Sequence, residues 1–92
     1  MLTELNKGTH VFLKTDDSFT TISKHPVDEN YQVFTTKKVT SRMADDINKL
    51  YRANLEVTRI NFEQGFLIIR LKEKSTYRHI VKAVKTVLYG QS

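Results

Sequence analysis

The chain has 92 residues, 39% of them hydrophobic and 27% charged, with no cysteine and a formal net charge of +5 at pH 7. This length allows one domain with a single modest core, and the missing cysteine excludes disulfides, thiolate metal sites and a cysteine nucleophile. No apolar run approaches the roughly 20 residues that span a bilayer and residues 1–7 lack a signal-peptide core, so the expectation is one basic cytoplasmic domain over residues 1–92 that engages no membrane.

Residues 1–8 read as a lead-in punctuated by Gly8. Three strands are expected within 9–38. Thr9–Thr15 and Phe19–Lys24 form a hairpin about the turn cluster Asp16-Asp17-Ser18, and Tyr31–Lys38 is the third strand, aromatic and β-branched. Between them His25-Pro26-Val27-Asp28-Glu29-Asn30 reads as a loop, because the only proline falls in an acidic polar run. A helix over 40–54 is capped by Thr40 or Ser41 and aligns Met43, Ile47, Leu50 and Tyr51 on one face, with Ala44 beside them. Asp45 and Asp46 fall in its first turns, Lys49 and Arg52 near its end, and Asn54 suits a left-handed terminal residue.

A hairpin over 56–73 follows, Glu56–Phe62 and Phe66–Glu73, turning at Glu63-Gln64-Gly65 where glycine supplies a positive φ. Ser75 can cap the last helix, 75–90, whose core face is Tyr77, Ile80, Val81, Val84 and Leu88 and whose stop is Gly90. The expected order is β-β-β-α-β-β-α. This is an α+β class in which two helices pack on one face of a largely antiparallel sheet.

Most of the excess positive charge lies from Lys37 onward. A basic balance in a small domain points towards a polyanion or an acidic protein surface. If Leu67, Ile69 and Leu71 face the helices, then Phe66, Ile68, Arg70 and Lys72 share the opposite face by the period of two. With Lys74 they form a candidate nucleic-acid site, the cations on phosphates and Phe66 against bases or sugars. The same Phe66 and Ile68 are the anchors of a partner or homodimer interface in the alternative reading. A second basic set, Arg78, Lys82 and Lys85, recurs at i, i+4 and i+7 on the last helix with no acid from Lys74 onward, and can track a phosphate backbone. Lys37, Lys38 and Arg42 form a third cluster, offset by Asp45 and Asp46.

No His or carboxylate spacing suits a metal, no glycine-rich phosphate loop occurs, and no cofactor is implied. One catalytic set can be written, a small ribonuclease using Arg59, Arg70, Tyr77 and His79; nothing in its spacing singles it out, and the expectation is a non-enzyme.

From Tyr31 to Leu88 the succession resembles the C-terminal domain of the MotA transcription activators of T4-like phages. The likeness is carried by the strand, the helix with Met43, Ile47 and Leu50, the run Gly65-Phe66-Leu67-Ile68-Ile69-Arg70-Leu71-Lys72, and the closing helix ending Val84-Lys85-Thr86-Val87-Leu88. That resemblance implies a double wing, a saddle-shaped sheet flanked by helices that binds DNA with its sheet surface, and makes Arg70 and Lys72 candidates there. It also implies a small phage-type regulator acting in a host cytoplasm, with DNA favoured over RNA. The resemblance does not extend to the family's N-terminal activation domain, so a host protein stands as the alternative partner.

Overall fold

The computed structural model describes residues 1–24 and 30–91. Its elements are β1 (Thr3–Lys7), β2 (His10–Lys14), β3 (Phe19–Lys24), β4 (Asn30–Thr35), α1 (Ser41–Leu50), β5 (Leu55–Asn61), β6 (Phe66–Leu71) and α2 (Tyr77–Tyr89). One six-stranded sheet has the order β1-β2-β3-β4-β6-β5, and every neighbouring pair is antiparallel. Since β4 and β5 both run against β6, they are parallel to each other, with α1 as the crossover between them and β6 inserted in the gap.

Both helices lie on one face, as the apolar spacing requires. Leu13, Ile22, Val33, Leu55, Leu67 and Ile69 of the sheet meet Ile47 of α1 and Ile80, Val81, Val84 and Leu88 of α2 in a closed core. Each such side chain contributes roughly 1.5–3 kcal/mol by leaving water, so this layer dominates the stability of the domain. At its edge three hydroxyls form a chain. Thr20 Oγ1 lies 2.8 Å from Thr35 Oγ1 and also bonds the Tyr89 hydroxyl, which pins the last turn of α2 to the sheet.

The α+β class is observed, with one strand more than the sequence announces. Residues 3–7, expected as a lead-in, form β1 and pair along their whole length with β2. The segment Thr-Glu-Leu-Asn-Lys has no β-branched or aromatic run; it is a strand because β2 offers it an open edge. Its turn into β2 is Gly8-Thr9, with Gly8 at φ +61°.

Several boundaries also move. β6 stops at Leu71 rather than Glu73, and Thr76, not Ser75, stands at the N-cap of α2. α1 ends at Leu50 and leaves through Tyr51 at φ −124°; Asn54 is not left-handed, and Lys74 (φ +67°) is the one such non-glycine among the described residues. Asp45 and Asp46 sit past the first turn of α1, whose cap is Thr40, its hydroxyl 3.2 Å from the Met43 amide. The expected loop 25–30 lies outside the described residues except for Asn30, which opens β4.

Gly65 controls the centre of the sheet. At φ +73° its carbonyl accepts the Thr35 amide at 2.9 Å, and an added Cβ would stand 2.7 Å from the Thr35 carbonyl oxygen. Only glycine admits both that φ and that approach, which sets β6 against β4 in the register Phe34 opposite Phe66.

Candidate functional site

Opposite the helices no described element covers the sheet, and strand alternation decides what it shows. With Val11, Leu13, Val33, Leu67 and Ile69 buried, their neighbours Phe12, Phe34, Phe66 and Ile68 point outward. The registers join these into rows. One row crosses all six strands as Leu5, Phe12, Thr21, Phe34, Phe66 and Asn61. On one flank lie Thr3, Lys14 and Phe19; on the other run Lys7, His10, Ser23, Gln32, Ile68 and Arg59.

The rings cluster along the row. Phe34 and Phe66 stand 5.4 Å apart between centroids, Phe12 and Phe19 5.9 Å, and His10 stacks on Phe12 at 6.1 Å. Phe19 and Phe34 are 40% and 41% exposed, an unusual openness for phenylalanine in a strand. A shallow depression of about 290 Å³ lies among Leu5, Lys7, Phe12, Lys14 and Phe19.

Arg59 reaches this face through a bulge. Val57 pairs with Ile69 and Arg59 with Ile68, so Thr58 is extra; its hydroxyl donates to the Ile68 carbonyl at 3.3 Å. Strict alternation through Thr58 would put Arg59 on the side of Val57 and Ile60 on the other; the bulge lets Val57 and Ile60 both turn towards the core and Arg59 outward.

The face carries Lys7, Lys14, Arg59 and Arg70 against a single carboxylate among its described strand residues, Glu56. Glu56 is matched to Arg70, 2.7 Å from its guanidinium, and this hydrogen bond lowers the Glu56 pKa. Lys7, Lys14 and Arg59 have no ion-pair partner among the described residues.

The residues proposed from sequence do not form one surface. Phe66, Ile68 and Arg70 lie together on the open face, but Lys72, expected beside them, is past the end of β6, where its ammonium donates to the Arg52 carbonyl behind α1. Lys74 belongs to the following turn. Arg78, Lys82 and Lys85 are on α2, across the full thickness of the sheet from Phe66, and line a shallow cleft of about 240 Å³ with Val81 and Thr86.

Two of those three helix cations are already engaged. Glu4 of β1 accepts from Lys85 at 2.9 Å and Arg78 at 3.1 Å, and from Asn6 at 3.0 Å. These bonds, that from Lys85 foremost, bring its pKa from 4.5 down to about 2, and Glu4 in turn raises that of Arg78. The acid missing from the C-terminal stretch comes from the other end of the chain. Lys37 sits 4.8 Å above the Tyr89 ring, and Arg42 is 3.9 Å from Asp46.

The ribonuclease set is divided in the same way. Arg59 and Arg70 are on the open face, whereas Tyr77 and His79 open α2 on the other side, His79 Nδ1 accepting the Thr76 amide at 3.1 Å. Among the described residues no three His, Asp or Glu side chains are grouped to hold a metal, and no helix is long and apolar enough to cross a membrane.

The sequence pointed to the β6 part of this face, named Arg59 only in the catalytic set, and missed Phe12, Phe19, Phe34, Lys7 and Lys14. The trace was there for two of them: Phe12 falls between Val11 and Leu13, and Phe34 follows Val33, so alternation alone turns both outward. Comparison of the chain with family models, curated proteins and solved structures returns no match.

Proposed function

We propose that this is a non-catalytic nucleic-acid-binding protein and that its open sheet face is the binding surface. The observation that carries the reading is the composition of that face: Phe19 and Phe34 exposed and Phe12 and Phe66 half-buried among Lys7, Lys14, Arg59 and Arg70, with Glu56 the one carboxylate among its described strand residues. Aromatic faces and flexible cations are the two groups that a polynucleotide engages without a preformed pocket. The excess of cations also disfavours a second copy of the same face, because like charges would be brought together. α2 is the weaker surface, since Glu4 already offsets Arg78 and Lys85. The likeness to a family that binds DNA through its sheet supports the same side of the molecule.

Binding of labelled oligonucleotides, followed by fluorescence anisotropy from about 50 to 300 mM salt, tests this. Saturable binding is expected, with a log–log slope of about −2 to −3 for three or four phosphate contacts. Arg59→Glu and Lys14→Glu should each weaken it, while Lys82→Glu leaves it unchanged. Absence of binding at the lowest salt, with dimers in sedimentation equilibrium, would overturn the reading and assign the face to a second copy of the chain.

A further inference from the structure

We infer that the open face takes a single-stranded polynucleotide, laid across the strands along the row Leu5–Phe12–Thr21–Phe34–Phe66–Asn61, in preference to a duplex. This rests on the nucleic-acid reading and adds the form of the ligand. The row spans five strand spacings, about 24 Å at the usual interstrand distance, so several nucleotides can follow it.

The chemistry of the row selects against paired bases. A phenylalanine ring offers a π-face and no hydrogen-bonding atom. In a duplex the base faces are already stacked on one another, and the grooves present mostly polar edges and phosphates, with the thymine methyl the one apolar group. The phenylalanines of the row would find few partners there and would lose water for little return. A single strand exposes the base faces themselves, and stacking on an aromatic side chain tolerates any base.

The charges are arranged to suit. Lys7 and Arg59 occupy the two ends of the flanking row, on β1 and β5, and Arg70 lies one row further out. A sugar–phosphate backbone running beside the phenylalanines therefore meets a cation at each edge of the sheet. Ser23 and Gln32, opposite each other in the middle of the same flanking row, are polar groups within reach of the base edges. Cations at the flank with rings in the middle are the order in which phosphate, sugar and base come off a single strand.

The experiment compares oligo(dT), oligo(rU) and a dA·dT duplex of equal length with the full chain at one salt concentration. Either single strand should bind about tenfold or more tightly than the duplex, and the dT and rU arms decide which sugar is preferred. Phe34→Leu and Phe66→Leu keep the apolar packing but remove the π-face, and each should weaken single-strand binding roughly five- to tenfold. Phe62→Leu, more exposed than either but in the turn beyond β5, should change nothing. Circular dichroism confirms that each variant is folded. Equal or tighter duplex binding, indifferent to the leucine variants, overturns the single-strand inference and leaves the nucleic-acid reading standing; no binding to any of the three sinks both.

Discussion

Protonating Glu4 would release Lys85 and Arg78 together, so one carboxyl on β1 ties the edge of the sheet to α2. Its side chain is only 17% exposed and that of Lys85 31%, so this pair is screened less than a surface ion pair, whereas the more open Arg78 adds little. Its folded pKa of about 2 lies below the ordinary 4.5, so this stabilisation is fully present above about pH 4.5 and is lost as the pH falls towards 2. Glu4→Gln should therefore lower stability at pH 7 by about 1–2 kcal/mol, and the urea midpoints of variant and parent should converge as the pH is lowered to about 2. None of this was legible locally, because the acid and its cations stand at opposite ends of the chain. Arg59 was partly legible. Val57 and Ile60 are three apart, a spacing that strict alternation cannot bury on one face, and that mismatch is the mark of the bulge at Thr58.

Among the elements, those with strong local signals came through and those made by their neighbours did not. The two helices were plain from apolar spacing, and the turn at Gly65 from its residue type. β1 was invisible because five residues with one outward leucine become a strand only when the edge of β2 is there to receive them. Alternation in β6 gave the outward set correctly as far as Arg70 and failed at Lys72, where the strand had ended. Gly65→Ala isolates the turn. It would have to hold φ +73° and a Cβ 2.7 Å from the Thr35 oxygen, and a loss of about 1–3 kcal/mol is expected in calorimetric or denaturant unfolding. Since Phe66 follows directly, the same variant should weaken oligonucleotide binding more than its stability loss alone explains.

At the scale of the molecule, the net charge of +5 is unevenly spent. On the helix side Glu4 offsets Arg78 and Lys85, whereas the sheet side keeps Lys7, Lys14 and Arg59 without counterions among the described residues. The salt dependence of binding reports which side is used. The double variant Lys14→Glu, Arg59→Glu should flatten the log–log slope by about one to two, and the pair Lys82→Glu, Arg78→Glu should leave it unchanged. Composition alone announced the charge but not its partition, which depends on which strand faces which helix.

The insertion of β6 between β4 and β5 has a consequence for how this surface comes into being. β1 to β4 are a meander of neighbouring hairpins, each closed by contacts near in sequence, whereas β6 joins β4 only after α1 and β5 have been laid down. Such non-local pairing is the slow part of a folding reaction. The Phe34–Phe66 contact, at 5.4 Å, is formed by that step and by no earlier one. A nascent or partly opened chain thus holds Phe12 and Phe34 of the row but not yet Phe66 beside them. On the proposed reading, completing the sheet and acquiring the ability to bind are one event, and a labelled oligonucleotide added during refolding would time it.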